Sequence, residues 1–322
     1  MNVAIVSSAH GYGHATRDVV LADTLAARGH RCTLFSAAPP PLLGDSHEVV
    51  AWKVDVGLVQ ADSLSEDAEA TLRQLPACEA GIDPLAAALG RFDLVVVDVA
   101  PFALEAARRA GVRAVAMGNF DWAWIYAHYP GLTSWAGRFS AWQAAHPAVT
   151  LAPGPGLSSF RELRAGGLLA RSAPAVAVAG RSVLVCFGGL GLRAMERLLP
   201  EVPGITWVLA PPMPRLSRAD VVFVDDVPFP SLVAGAAALF TKPGYGILGE
   251  AVCAGTPIVY LDRGPFPEAP YLERVMAARG DVKVRADAGA LAAAVVARLA
   301  RPRPPARGRD DREAVADAVL SG

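Results

Sequence analysis

Short apolar runs alternate with stretches of helical periodicity along most of this chain of 322 residues. The runs at residues 3–6, 92–98 and 112–117 are rich in Val and Ala, which is typical of strands buried in a parallel sheet. Between such runs, apolar residues recur at helical spacing, as at residues 19–26 and 103–110. This alternation predicts an α/β protein with doubly wound parallel sheets.

The pattern breaks and then restarts near the middle of the chain. Residues 149–151 are predicted to be the last strand of the first half, and Pro-Gly-Pro-Gly at residues 153–156 interrupts the pattern. A new strand at residues 182–187 begins the second half. We therefore predict an N-terminal domain, a linker, a C-terminal domain and a terminal helix at residues 1–155, 156–180, 181–309 and 310–322.

The composition allows large cores and argues against several functional classes. Hydrophobic residues make up 53% and charged residues 19% of the chain, and the formal net charge is −1. A general nucleic-acid binder would carry a basic face, so we expect no nucleic-acid partner. The four cysteines are widely spaced, which fits neither a metal site nor a disulfide framework and favours a reducing cytoplasm. The first residues are typical of a strand rather than a signal peptide, and no apolar window reaches the length of a spanning helix.

Two glycine-rich turns of the second half each connect a strand to a helix. Their glycines are Gly188, Gly189, Gly191, Gly244 and Gly246. Unpaired N–H groups and the helix dipole at such a turn favour a bound anion. Glu250 lies about one turn into the second helix, where a carboxylate can accept hydrogen bonds from the ribose diol of a nucleotide. The alternative is an ordinary strand–turn–helix connection with a solvated Glu.

The first loop contains the sequence Gly-Tyr-Gly-His-Ala-Thr-Arg at residues 11–17. Gly11 and Gly13 form only part of a dinucleotide-binding fingerprint, because Thr16 stands where the third glycine would be. His10 and His14 lie beside these glycines at the carboxyl end of a strand, where open α/β sheets bind their ligands. A loop histidine satisfied by solvent is the alternative, and we favour it for His10.

Further polar and aromatic side chains follow the next predicted strands. The candidates for contacts to an acceptor are Asp98, Asn119, Asp121, Trp122 and Trp124. Asp98 ends its strand, where it can line a ligand site or instead cap a helix. Aromatic faces suit sugar rings, apolar acceptors and peripheral membrane contact, although aromatic residues at helical spacing more often form core.

The stretch Lys-Pro-Gly-Tyr-Gly-Ile-Leu-Gly-Glu at residues 242–250, followed by Ala-Val-Cys-Ala-Gly-Thr-Pro-Ile-Val, resembles the donor-binding segment of GT-B glycosyltransferases. In particular it is similar to the MurG-like group and to the glycosyltransferase-like domain of plant arabinokinases. The resemblance implies two Rossmann-like domains facing a cleft, with a terminal helix that packs back on the first domain. It also implies a set of donor-binding residues: Gly188, Gly189, Gly191, Val224, Lys242, Gly244, Tyr245, Gly246, Glu250 and Glu268.

Within that set, the resemblance assigns three roles. Glu250 would hold the nucleotide ribose, the backbone of Val224 would hold the base, and Glu268 would contact the donor sugar. Three hydroxyl-bearing positions of the MurG-like pattern carry other residues here, namely Leu190, Pro243 and Ile247. Backbone amides are therefore expected to make more of the contacts to the donor diphosphate.

The Gly-His pair that ends at His14 resembles the pair of MurG-like and many other nucleotide-sugar glycosyltransferases, in which the histidine faces the reacting centre. This implies that His14 is a general base, with His10 as the second choice. A nearby carboxylate, Asp98 or Asp121, would orient the ring. The motif Gly-x-Gly-His-x-x-Arg, which ends at Arg17, also resembles PseG, a hydrolase of the same fold that removes UDP from a sugar.

We therefore predict a GT-B enzyme that transfers a sugar from a UDP- or TDP-type donor to the hydroxyl of a small-molecule or lipid-linked acceptor. The expected course is inversion at the anomeric carbon without a required metal or other cofactor, and Asp225 and Asp226 are interpreted as a strand-end turn. We expect a monomer or homodimer in the cytoplasm. The alternatives are a nucleotide-sugar hydrolase of the PseG type and a non-catalytic nucleotide-sugar binding module.

Overall fold

A computed structural model describes residues 1–60, 65–178, 180–187 and 195–322. These residues form two compact units. Within the described part of the chain, unit 1 comprises the residues up to 60 together with Glu66–Leu169 and Asp311–Gly322. Unit 2 comprises Ser65 and the described residues of Ala170–Asp310.

The described strands of unit 1 form one parallel sheet. They are β1 (Asn2–Ser7), β2 (Arg31–Ser36), β3 (Glu48–Ala51), β4 (Leu94–Asp98), β5 (Ala114–Gly118), β6 (Pro147–Leu151) and β7 (Glu162–Gly167). Their order across the sheet is β3-β2-β1-β4-β5-β6-β7. Ser7 at the end of β1 is in register with Asp98 at the end of β4. The loops that follow these two strands therefore leave the same edge of the sheet side by side.

Eight α-helices lie in the described part of unit 1, and the first seven lie between its strands along the chain. These seven are α1 (Tyr12–Ala27), α2 (Pro40–Leu43), α3 (Ala68–Ala80), α4 (Ile82–Leu89), α5 (Pro101–Ala110), α6 (Trp122–Ala127) and α7 (Thr133–Gln143), with a 3₁₀ turn at Pro130–Leu132. Local sequence explains the limits of α5, which has Pro101 in its first turn and ends at Gly111, where φ is 67°. Proline suits the first turn of a helix, and glycine suits the left-handed residue that follows the last turn.

Unit 2 repeats the architecture. Its described strands are β8 (Arg181–Cys186), β9 (Ile205–Leu209), β10 (Val221–Phe223), β11 (Ala238–Thr241), β12 (Ile258–Leu261) and β13 (Val282–Val284), in the order β10-β9-β8-β11-β12-β13. All of the pairings are parallel. Its described helices are α8 (Met195–Leu198), α9 (Phe229–Gly235), α10 (Tyr245–Ala254), α11 (Ala269–Ala278) and α12 (Ala288–Leu299).

Both faces of the unit 2 sheet are covered. Val183 and Val185 pack into one hydrophobic cluster, whereas Leu184 between them packs into another. This division follows from the strand geometry, because successive side chains point to opposite faces of a sheet. The predicted α/β class with doubly wound parallel sheets is confirmed.

The segment 156–180, interpreted from sequence as a linker, contributes β7 to the sheet of unit 1. Its Gly-Gly pair suggested a loop, but the structure gives the first of these glycines a packing reason. A Cβ atom on Gly166 would lie 2.5 Å from Cγ1 of Val149 in β6, so β7 approaches its neighbour too closely for a side chain at this position. After β7, the chain enters unit 2 at Ala170.

The last helix, α13 (Arg312–Ser321), belongs to unit 1. Val315 and Val319 are fully buried and join the hydrophobic cluster that contains the residues of β1 and α1. Arg28 at the end of α1 pairs with Glu313 and with Asp317, the latter at 2.6 Å. The core of unit 1 is therefore built from both ends of the described chain.

Candidate functional site

The neighbouring strands β1 and β4 bring two loops of unit 1 together. α1 begins at Tyr12, directly after Gly11, whose φ of 78° lies in the left-handed region that favours glycine. His14 therefore lies in the first turn of α1, and Asp98 is the last residue of β4. His14 is 7% exposed and Asp98 is fully buried.

His14, Asp98 and Arg17 form one hydrogen-bonded cluster. Nδ1 of His14 lies 3.0 Å from Oδ1 of Asp98. Arg17 donates to the same carboxylate, from Nε to Oδ2 at 2.6 Å and from Nη2 to Oδ1 at 2.5 Å. Burial alone would raise the pKa of Asp98, but the charges of Arg17 and then of His14 hold that pKa well below its usual range. Asp98 is thus an anion at neutral pH.

The ionised carboxylate of Asp98 determines which nitrogen of a neutral His14 ring carries the proton. Nη2 of Arg17 lies 3.1 Å from His14 Nδ1 and also donates to Asp98. A lone pair on Nδ1 would be repelled by a carboxylate oxygen at 3.0 Å. We therefore assign the Nδ1–H tautomer, with Asp98 as the acceptor. Nε2 then carries the lone pair, which is what a general base requires.

Asn119 anchors the other end of the Arg17 guanidinium. Nη1 of Arg17 donates a short hydrogen bond to Oδ1 of Asn119, and Nδ2 of Asn119 donates to the carbonyl of Pro153 at 2.7 Å. The sequence suggested Asn119 as an acceptor contact. The structure instead places its amide between two groups of unit 1, where it fixes Arg17 against Asp98.

A second carboxyl group, that of Asp18, lies under this cluster and was missed in the sequence. Asp18 is fully buried and accepts a short hydrogen bond from the hydroxyl of Ser7. Burial, and next the negative charge of Asp98, raise its pKa well above the usual value. The raised pKa favours the neutral form of Asp18, and this form reduces the repulsion with the ionised Asp98. No sequence signal distinguishes it from the many solvated Asp residues of helices.

His10, the second candidate base, is held in place by contacts within unit 1. Its Nδ1 accepts a hydrogen bond from the backbone N–H of Leu58 at 3.3 Å, and its ring meets the ring of Trp122 edge-on at 5.0 Å. A Cβ atom on Gly57 would lie 2.5 Å from the Cβ of His10, so the loop at residues 55–58 packs closely on the first loop. Because Nδ1 accepts, the proton of neutral His10 is on Nε2, which leaves no lone pair there for a base.

Asp55 fixes the start of the first loop and was also missed in the sequence. Its Oδ1 accepts hydrogen bonds from the backbone N–H of Ala9 at 2.8 Å and from the hydroxyl of Ser8 at 3.1 Å. Trp122 Nε1 donates to the same hydroxyl oxygen at 3.3 Å. Burial raises the pKa of Asp55 to about 6, although these hydrogen bonds oppose the shift.

The raised pKa of Asp55 makes unit 1 less stable above pH 6 than below it. A carboxyl group whose pKa is raised by folding stabilises at low pH, and that contribution is lost as pH rises through the folded value. Asp55→Asn keeps the acceptor for Ala9 and Ser8 but removes the charge. We expect the variant to gain about 1–2 kcal/mol of stability relative to the natural protein between pH 5 and pH 8.

Urea unfolding at the two pH values, followed by tryptophan fluorescence, measures this difference. Of the six Trp residues, Trp207 alone belongs to unit 2, so the signal reports mainly on unit 1. Asp45→Asn, at an exposed position, is the control. Identical pH dependence in the natural protein and in Asp55→Asn would show that Asp55 does not titrate in this range.

The aromatic stretch is mostly core. Trp122 is 1% exposed, whereas Trp124 is half-buried and meets the ring of His128 at 4.9 Å. Asp121 caps α6 by accepting from the Trp124 N–H at 2.8 Å, and its other oxygen accepts from the N–H and hydroxyl of Ser158 at 2.6 and 2.9 Å. The contacts of the described residues thus place Asp98, and not Asp121, against His14.

In unit 2, the predicted donor-binding turn has the expected local structure. β11 ends at Thr241 and α10 begins at Tyr245, so Lys242 and Gly244 form the turn and Gly246 lies in the first turn of the helix. Gly255 ends α10 with φ of 66°, and a Cβ there would lie 2.8 Å from the carbonyl oxygen of Pro304. Gly188, Gly189 and Gly191 of the other predicted turn lie outside the described residues.

Glu250 lies in the second turn of α10 and is 5% exposed. Its Oε1 accepts from Nε of Arg171 at 2.7 Å, in a segment where the sequence predicted only a linker. Its Oε2 is buried and has no hydrogen-bond partner among the described residues. Burial raises the pKa of Glu250, and the charge of Arg171 opposes that shift. The alternative of a solvated Glu does not fit this environment.

The remaining predicted donor residues are engaged within unit 2. The N–H of Val224 donates to the carbonyl of Leu209 at 2.9 Å. A nucleotide base bound at this position would therefore meet the Val224 carbonyl. Glu268 precedes α11 and is 6% exposed, and its Oε2 lies 3.6 Å from Nη1 of Arg263.

The described residues contain neither a cluster of metal-binding side chains nor a helix that could span a membrane. Among residues 1–60, 65–178, 180–187 and 195–322, no group of three or more His, Cys, Asp or Glu side chains is placed to hold a metal ion. In the same part of the chain, no helix has both the length and the apolar character needed to cross a membrane.

Several solved structures to which this chain is similar are described as glycosyltransferases. A glycotransferase of kitacinnamycin is 19% identical with a TM-score of 0.64, and the match covers 99% of this chain and 93% of the other. A UDP-glucosyltransferase from Polygonum tinctorium, capable of glucosylating indoxyl, is 13% identical with a TM-score of 0.60, covering 99% and 92%. The chain therefore has the GT-B fold of glycosyltransferases, as predicted.

By sequence, the chain is similar to the L-arabinokinase of Arabidopsis thaliana. The two are 29% identical over 304 residues, which cover 83% of this chain and 29% of the arabinokinase. The chain thus matches less than a third of that protein's length. No protein-family model matches the chain.

Proposed function

We propose that this protein is a glycosyltransferase that moves a sugar from a nucleoside diphosphate sugar to an acceptor hydroxyl. The observation that carries the proposal is the buried pair of His14 and Asp98 at the carboxyl end of the unit 1 sheet, with Nε2 of His14 left to accept a proton. The GT-B fold supports it, because the similar solved structures are described as glycosyltransferases.

In the proposed reaction, Nε2 of His14 takes the proton of the acceptor hydroxyl. The hydroxyl oxygen then forms a bond to the anomeric carbon while the bond from that carbon to the donor phosphate breaks. The nucleoside diphosphate leaves with the bonding electron pair, and the configuration inverts. Asp98 stabilises the imidazolium that forms, because it is an anion hydrogen-bonded to Nδ1. The transition state would resemble an oxocarbenium ion.

The proposed donor site is in unit 2. The first turn of α10 offers backbone N–H groups and the positive end of the helix dipole to the diphosphate. Glu250 would accept hydrogen bonds from the sugar hydroxyls of the nucleoside, which are the ribose diol in UDP and the 3′ hydroxyl in TDP. Its Oε2, which has no hydrogen-bond partner among the described residues, supports this role. A UDP- or TDP-type donor is proposed, and neither a metal ion nor another cofactor is included in the proposed chemistry.

Glu250→Ala is expected to weaken binding of UDP or TDP by about 1–3 kcal/mol, the usual cost of losing a hydrogen bond to a charged group. Isothermal calorimetry measures the affinity. Glu201→Ala, at an exposed position of unit 2, is the control and should bind as the natural protein does. An unchanged affinity in Glu250→Ala would contradict the role of Glu250 as the residue that binds the ribose.

A thermal-shift screen against nucleotides and nucleotide sugars tests the proposal as a whole. A donor found in this way is then incubated with and without small-molecule and lipid-linked acceptors, and nucleotide release is measured. Release that requires an acceptor supports transfer. Fast release in water alone indicates a hydrolase, and binding without release indicates a nucleotide-sugar binding module. The similarity to an arabinokinase over 29% of its length keeps the last alternative open. A cytoplasmic location stays a prediction.

A further inference from the structure

The two carboxylate oxygens of Glu250 differ in their hydrogen bonding. Oε1 accepts from Nε of Arg171 at 2.7 Å, whereas Oε2 is buried without a hydrogen-bond partner among the described residues. An ionised carboxylate in such a place is costly, because burial removes the water that would solvate it. Among the described residues, Arg171 is the cation that pairs with Glu250, and Glu250 depends on it to stay charged.

Arg171 is placed to supply that charge. Its side chain is 25% exposed and its guanidinium lies 5.8 Å from the centre of the Phe229 ring at the start of α9. The helix packed against α10 is α9, and its sequence, Phe-Pro-Ser-Leu-Val-Ala-Gly, contains no ionisable side chain. Within the described residues, Arg171 is the charged group whose effect on the pKa of Glu250 is resolved.

We propose that Arg171 is a positioning residue for nucleotide binding: it holds Glu250 ionised through Oε1 and so directs Oε2 to the ribose of a nucleoside diphosphate. This inference rests on the proposed function, because it takes the nucleotide ribose as the ligand of Glu250. Arg171 acts through Glu250 and not by its own contact with the ligand.

The experiment measures UDP and TDP affinity by calorimetry in Arg171→Met, which keeps an unbranched side chain out to about the position of Nε and removes the guanidinium charge. We expect binding to weaken about tenfold or more, as for the loss of an interaction with a charged group. Arg171→Lys restores the charge and should recover most of the affinity.

Arg164→Met is the matched control. Arg164 pairs from the same atom, Nε, to Oε1 of Glu162 at 2.9 Å, and its side chain is 27% exposed, but it belongs to unit 1. Its removal should leave nucleotide affinity unchanged. A loss in Arg164→Met equal to that in Arg171→Met would show a general effect of removing an arginine and would overturn the proposal.

A double-mutant cycle with Glu250→Gln separates positioning from direct contact. If Arg171 acts through Glu250, Arg171→Met should change the affinity of the Glu250→Gln protein by less than about threefold. Losses that multiply in the double variant would show that Arg171 contacts the nucleotide itself, contrary to the proposal. Should Arg171→Met fail to fold, Arg171→Gln takes its place in the cycle.

A pH series gives a readout that a merely structural role would not change. Without Arg171 the pKa of Glu250 rises further. As the pH is lowered, nucleotide affinity should therefore begin to fall at a higher pH in Arg171→Met than in Arg164→Met. Failure of the natural protein to bind UDP or TDP would contradict the proposed function. Normal binding by the natural protein and an unchanged Arg171→Met would contradict the role of Arg171 alone.

Discussion

Replacing His14 by Ala is expected to lower turnover by about 10²–10⁴-fold, the range for loss of a general base. Nε2 of His14 is the atom that would take the acceptor proton, and Asp98 holds the ring through Nδ1 at 3.0 Å. Nucleotide affinity should stay near that of the natural protein, because the proposed donor residues belong to unit 2. The rate is measured as nucleotide release with the donor and acceptor that the screen identifies.

His10→Ala is the paired comparison for this experiment. Its ring is held by Leu58 N–H and packs on Trp122, so its removal should affect stability more than the chemical step. Asp98→Asn should share much of the loss of His14→Ala, because it removes the anion that stabilises the imidazolium. Normal turnover in His14→Ala with loss in His10→Ala would move the role to His10. Normal turnover in both His14→Ala and His10→Ala would contradict the proposed mechanism.

Replacing Arg17 by Met is expected to destabilise unit 1 by about 3–5 kcal/mol, the cost of removing one partner of a buried ion pair. Arg17 donates to both oxygens of Asp98 and to Asn119, and all three side chains are buried. Without it, the carboxylate of Asp98 is left beside the carboxyl of Asp18 in a fully buried site. The loss should be smaller at acid pH, where protonation relieves the unpaired Asp98.

Urea unfolding monitored by tryptophan fluorescence, at pH 5 and pH 8, checks this expectation. Asp18→Asn provides a control in the same cluster, because an amide replaces a carboxyl whose pKa is raised by burial and by the charge of Asp98. That variant should lose much less stability than Arg17→Met at pH 8. Equal losses in the two variants would mean that Asp18 is also ionised, and a small loss in Arg17→Met would mean that solvent reaches Asp98.

Sequence reasoning worked where the signal is local. The limits of α10 follow from glycines that begin and end a helix, and the structure has the helix at Tyr245–Ala254. The place of His14 beside the end of β4 follows from parallel strands whose loops share one edge. The sequence therefore predicts Asp98 as a candidate partner for His14, although the choice of Asp98 over Asp121 requires the fold.

The sequence could not show contacts between residues that are far apart along the chain. Arg17 and Asp98 are far apart in sequence, and nothing in either neighbourhood names the other. Asp18, Asp55 and Arg171 look like ordinary solvated residues until burial is known. β7 was hidden because its glycines, which suggest a turn, instead permit close packing against β6.

The position of α13 affects the order in which the two units can be completed during synthesis. Chains emerge from the ribosome at about 5–20 residues per second, and N-terminal domains generally fold first. Here Val315, Ala316 and Val319 complete the cluster around β1 and α1, so unit 1 keeps an open apolar surface while all of unit 2 is being made. The unit that is translated first is the one that finishes last, and a chaperone would meet the side of unit 1 that α13 later covers.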